Sequence, residues 1–241
     1  MAASSVAELR IALARGSHSA EASRPIVSSG IAALNRILPA GGYQAGTLVE
    51  WLAPIGSGVA DLAFRSLPAA LPQSKIWCVV EAANAFCPWP TLAGTRGPDC
   101  LVVRATAEPD RWWAVEQALR CPGVALTWCW ADRTPDRVLR RWQLAAEAGG
   151  GIGMLFRPPE ARRHPSWADL RLSATPLVQR HSTGRTVRIE VLYSRGRLEG
   201  QAAVLELHHA TGAVRVASQL AHSATAAREP EAPAAPARRV C

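Results

Sequence analysis

The chain has 241 residues, 49% of them apolar and 19% charged, which is enough to bury a substantial core and too apolar for global disorder. Basic residues outnumber acidic ones by 27 to 19, a formal charge of +8, and all but Lys75 are arginines. An arginine-only basic set beside abundant alanine fits GC-rich coding bias, so the charge permits phosphate contact without arguing for it. In chain order, residues 4–15 are spaced as a short amphipathic helix, with Val6, Leu9 and Leu13 sharing a face. They lack the apolar run of a secretory signal. A Ser/Arg/Pro linker over about 16–27 follows. Ser28-Ser29-Gly30 then opens a second short helix carrying Ile31, Leu34, Ile37 and Leu38. Residues 46–52 read as a strand, 54–58 as a tight loop and about 58–70 as a helix. Further strands are expected at 75–80, 100–104, 124–130 and 151–156, with helices near 108–120 and 134–148 between them.

Such alternation predicts an α/β fold with a parallel sheet and crossover helices. After Pro158-Pro159 the pattern changes: 170–174, 185–193 and 201–209 alternate apolar and polar residues, joined by Gly-rich turns at Gly184, Gly196 and Gly200. These are expected to be antiparallel strands added to one edge of the sheet. The Ala/Pro/Arg/Glu stretch 222–241 has almost nothing to bury and reads as a disordered tail. The expected organisation is an arm and linker (1–27), a core (28–221) and the tail. No apolar run is long enough for a membrane helix. The six cysteines (Cys78, Cys87, Cys100, Cys121, Cys129, Cys241) form no CxxC or Cys/His ligand spacing. A reducing, cytoplasmic setting with no metal or other cofactor is therefore expected. The histidines, His208-His209 included, sit in no triad spacing and read as surface residues.

The strand–loop–helix unit at 46–70 carries the most information. A phosphate-binding loop needs GxxxxGK[ST] in that context: glycines let backbone N–H groups wrap the phosphates, lysine neutralises charge and the hydroxyl holds magnesium. The window here is Ala53-Pro54-Ile55-Gly56-Ser57-Gly58-Val59-Ala60. Gly58 keeps the second glycine, but Ala53 replaces the first, Val59 the lysine and Ala60 the hydroxyl. Asp61 would repel phosphate. The loop has the right shape and the wrong chemistry.

Residues 28–64 resemble the start of the RecA recombinase core, in which a Gly-rich turn and helix lead to a strand and the phosphate loop. Residues 75–90, KIWCVVEAANAFCPWP, resemble the next RecA strand and the run after it. The resemblance places the catalytic glutamate's position on Ala83 and the end of the Walker B strand near Trp130, with Asp132 following it. It implies a RecA-like parallel sheet flanked by helices and retired from ATP hydrolysis. Downstream, the run from Pro135 to Pro158, with its Arg140-Arg141-Trp142-Gln143-Leu144-Ala145-Ala146-Glu147 helix, Gly-rich turn, buried strand and Arg157-Pro158, resembles ImuA proteins. Trp167–Leu172, Val187–Tyr193 and Arg195-Gly196-Arg197 fit that family's C-terminal region. Departures are Trp142 in place of a small aliphatic residue and the Trp-rich strand at 128–130.

ImuA proteins are RecA-like accessory factors of SOS-induced translesion synthesis. The resemblance implies a non-enzymatic adaptor whose partners are an ImuB-like polymerase homologue, RecA and, indirectly, an error-prone C-family polymerase. SulA-type division inhibitors share the Q-L-A-A-E helix without the RecA-like N-terminal half. The same residues also admit a noncanonical ATPase and a sequence-independent DNA binder. Three segments are candidates for partner contact. Leu9, Ile11 and Leu13 form either a docking arm or a cover for the domain's own core. Arg137, Arg140 and Arg141 form either a docking face or an ordinary solvated one, while Val138, Trp142 and Ala145 face the sheet. Arg238 and Arg239 are available for weak phosphate contact from the tail.

Overall fold

A computed structural model describes residues 24–65, 75–82, 99–177, 184–195, 200–208 and 214–216. Strand β1 (Ile26–Val27) pairs antiparallel with β2 (Tyr43–Gln44), bracketing helix α1 (Ala32–Ile37) and a 3-10 turn at Pro39–Gly41. The end of the expected linker is thus tied to the core by backbone hydrogen bonds. Strand β3 (Thr47–Leu52), helix α2 (Val59–Arg65) and strand β4 (Ile76–Glu81) follow, then β5 (Cys100–Arg104), α3 (Glu108–Arg120), β6 (Val124–Trp130), α4 (Asp136–Gly149) and β7 (Ile152–Arg157). A 3-10 segment, Pro159–Arg163, leads to β8 (Leu170–Leu177), β9 (Gly184–Ser194), β10 (Ala202–His208) and β11 (Val214–Val216).

Nine of these strands make one sheet in the order β11-β10-β9-β8-β3-β7-β6-β4-β5. The six from β8 to β5 run parallel, and β9, β10 and β11 are added antiparallel beyond β8. This corrects one expectation: β8 belongs to the parallel set. The segment 158–169 carries the chain past β3 from β7, and that crossover returns it in the same direction. Strand β11 was not expected; its three residues are too few to show alternation.

Strand β3 is buried along its whole length because both faces of the sheet are covered. On one face Val49 and Trp51 join Trp77, Val79, Trp128, Met154 and Phe156 beneath α1 and α2. On the other, Leu48, Cys78, Val80, Cys129 and Leu155 pack against α3 and α4. Helix α4 turns Val138, Trp142 and Ala145 inward as its 3–4-residue spacing predicts, and Trp142 Nε1 donates to the Trp112 carbonyl at 3.0 Å. Gly149 closes that helix against α3: a Cβ there would lie 2.1 Å from the Leu119 carbonyl oxygen. The antiparallel extension buries Val187, Ile189, Val191 and Leu205 in the α1–α2 side of the core, while Arg188 and Tyr193 point to solvent.

Cys78 and Cys129 are buried, and burial pushes the Cys78 thiol up to about 11 and the Cys129 and Cys100 thiols upward as well. These are packing residues held as thiols. Among the described residues no helix is long and apolar enough to cross a membrane.

At the opposite end of the sheet from the phosphate-type loop, Asp169 precedes β8. Its Oδ2 accepts from the Leu48 N–H at 2.8 Å and Arg195 Nε lies 2.9 Å from Oδ1. Arg195 and Arg24 also flank Glu147 at 3.8 and 3.7 Å. Burial raises the Asp169 carboxyl to about 6; the Leu48 bond and Arg195 oppose the rise and Glu147 adds to it. Because the folded chain holds this proton more tightly than the unfolded one, its stabilisation is complete at low pH and is lost as pH rises through 6. Asp169→Asn keeps an acceptor for Leu48 and removes the titration. Urea midpoints measured across pH should therefore shift in the variant's favour as pH rises, by roughly 3 kcal/mol in total. Parallel profiles would overturn this reading.

Candidate functional site

Strand β3 ends in the middle of the sheet and delivers the chain into the loop 53–58 at the C-terminal ends of the parallel strands, where ligands of open α/β sheets bind. The Ser57 N–H donates to the Pro54 carbonyl at 3.1 Å, and the Leu62 N–H donates to the Gly58 carbonyl at 3.0 Å as α2 begins. Gly56 and Gly58 have φ of +76° and +77°, a left-handed backbone that glycine adopts without strain. The tight glycine-containing loop expected from sequence at 54–58 is therefore present.

Its chemistry is different. Val59, at the lysine position, is buried in the core, and Ala53 and Ala60 pack against the same cluster. Ile55 stands 84% exposed at the tip. Arg185, from β9, reaches across and donates from Nη1 to the Gly56 carbonyl at 3.0 Å. A Cβ on Gly58 would come within 3.0 Å of the same nitrogen, so this guanidinium lies directly on the loop. The loop thus presents a carbonyl to a cation, the reverse of a backbone cradle for an anion.

Beneath the loop is a cleft of about 380 Å³ lined by Trp51, Trp130, Phe156, Asp61, Asp132 and Arg185. A second cleft of about 420 Å³ shares Trp130 and Asp132 and continues past Glu81, Glu108, Arg111 and Thr134. Asp132, at the position after the expected Walker B strand, is exposed and borders both. Ala83 lies outside the described residues. Two positions before it, Glu81 closes β4 almost fully buried and accepts from Arg104 Nε at 3.0 Å. Among the described residues, no group of three or more His, Cys, Asp or Glu side chains is placed to hold a metal ion.

The partner-contact candidates fall in three places. Leu9, Ile11, Leu13, Arg238 and Arg239 lie outside the described residues. Arg141 reaches from α4 to the buried Glu116 of α3, which Arg120 also contacts at 3.0 Å, so it links the two helices. Arg137 is exposed, and Arg140 lies over the Trp167 ring at 4.4 Å from its centroid.

Sequence reasoning missed Arg185, because nothing local shows that a strand more than a hundred residues later crosses the loop. It also missed a buried cluster in which Glu50 of β3 takes Arg157 of β7 at 2.5 Å and Arg171 of β8. Arg171 Nη2 also donates to the Ala161 carbonyl at 2.9 Å. The Arg157-Pro158 pair of the ImuA-like pattern thereby has a structural job, joining three adjacent strands. A charged Glu50 inside an otherwise apolar strand was the available signal.

No protein-family model matches the chain, and no curated protein matches it either.

Proposed function

We propose that this chain is a non-catalytic, RecA-like adaptor in SOS-induced error-prone translesion synthesis. In this reading it binds an ImuB-like polymerase homologue and RecA, and through them serves an error-prone C-family polymerase. The observation that carries the reading is Val59 buried in the core at the start of α2, beneath a loop that retains its glycine turns. A side chain committed to packing there leaves no lysine-like charge for a transferred phosphoryl group. Arg185 does not replace it, because its Nη1 is engaged with the Gly56 carbonyl. The central placement of β3, with helices on both faces, supports the RecA-like scaffold, an inference from fold-level analogy.

Two measurements test this reading. Titration with a fluorescent ATP analogue and magnesium is expected to give no saturable binding in the micromolar range; tight magnesium-dependent binding would return the chain to the ATPases. Capture of the tagged protein from DNA-damaged cells is expected to recover an ImuB-like protein or RecA. Recovery of the tubulin-like division protein without either would replace the adaptor reading with a SulA-type inhibitor.

A further inference from the structure

The outer stripe of α4 and the segment after β7 meet where Arg140 stacks on Trp167. The Trp167 ring is 40% exposed, with the guanidinium over one face. Arg137 precedes Arg140 by one turn of α4, and Arg162 and Arg163 lie in the 3-10 segment that leads to Trp167; all three are exposed. None of the three guanidinium groups makes a hydrogen bond or ion pair with any described residue, in contrast to Arg141, Arg157 and Arg171, which are spent on carboxylates. Between Pro158 and Ala168, Glu160 is the one acidic residue. Hydrated guanidinium groups with no protein partner are open to an anionic ligand, and the neighbouring ring offers it a flat apolar surface.

We infer that this surface binds single-stranded DNA, with the phosphates on Arg137, Arg162 and Arg163 and an unpaired base stacked on the exposed part of Trp167, whose ring Arg140, itself held by Gln143, keeps in place. Arginine forks match phosphate oxygens, and an aromatic ring receives any base without sequence preference. A docked protein helix would instead look for a row of aliphatic anchors, and this surface offers Leu144 alone on α4. Charge and stacking require only a single strand; the choice of DNA over RNA rests on the translesion reading.

The test uses the full chain and fluorescence anisotropy with a labelled oligodeoxythymidylate of about 20 nucleotides. Binding should weaken with salt at a log–log slope of about −2, as three phosphate contacts require. Arg162→Glu with Arg163→Glu should weaken binding at least tenfold and flatten that slope by about 1.4. Trp167→Leu should weaken it roughly tenfold with the slope unchanged, and Trp167→Phe, which keeps a ring, should restore most of the loss. All three positions are exposed, and unchanged thermal midpoints verify that the variants are folded.

Absence of binding, or affinity that ignores these substitutions, would overturn the proposal. Equal binding of polyglutamate, with Trp167→Leu silent, would overturn it in favour of an acidic protein segment. Tighter binding of oligouridylate than of the DNA strand would overturn the DNA assignment. Because the capture experiment reads protein partners and the nucleotide titration reads the loop after β3, failure of DNA binding here leaves the adaptor reading separately testable.

Discussion

Glu50→Ala should unfold at a much lower urea concentration than the native chain, with a loss of about 3–5 kcal/mol. Glu50 is completely buried in the central strand and is the shared partner of Arg157 and Arg171, whose side chains are 3% and 13% exposed. Removing the carboxylate leaves two guanidinium groups facing each other in an apolar layer. Arg157 Nε already lacks a partner, so the site has no spare acceptor to absorb the change. Breaking a buried pair and replacing it are different experiments. Leucine or methionine at all three positions together should restore most of the stability or exceed it, since it removes the desolvation cost along with the charges. An unchanged midpoint in Glu50→Ala would mean that the three strands are not joined in this way.

Trp128→Ala is expected to cost a comparable loss of about 3–5 kcal/mol. The indole is fully buried on the α2 side of the sheet, stacked on Phe156 with centroids 4.8 Å apart and meeting the edge of Phe64 at 4.8 Å. Deletion removes one of the three indoles of a cluster that includes Trp51 and Trp77, and the rigid strands on either side cannot collapse into the space. Trp128→Phe should be far milder, under about 1.5 kcal/mol, because it keeps a ring and eliminates a buried indole N–H that has no acceptor. The ratio of the two losses, read from urea unfolding, separates ring volume from the indole's polarity. Similar losses for both variants would show that the N–H finds an acceptor.

The expected effects also divide the molecule. Both substitutions act inside the central sheet, on β3 and β6, so they should impair any partner binding through loss of fold. The Arg162 and Trp167 variants should leave the midpoint alone and change binding only. A variant that moves both readouts would place its residue in the scaffold, not on the surface.

What is legible in the chain follows from the range of the interactions. The amino-acid sequence by itself determined the α/β alternation, because apolar runs such as Val124–Trp130 and the 3–4-residue spacing of Val138, Trp142 and Ala145 are local signals of burial. It also placed a glycine turn after β3, at Gly56 and Gly58 with their positive φ, and put uncharged Val59 and Ala60 where a phosphate loop carries a lysine and a hydroxyl. Strand order, the parallel direction of β8 and the pairing of Ile26–Val27 with Tyr43–Gln44 were decided only by the tertiary structure. The same is true of the charged contacts. Arg140 and Arg141 look alike along the helix, yet about a hundred degrees of helical rotation sends one to Trp167 and the other to Glu116. Arg185 on the loop and Glu50 between two arginines join residues more than a hundred positions apart, and charge is read from its neighbours in space, which no local pattern records.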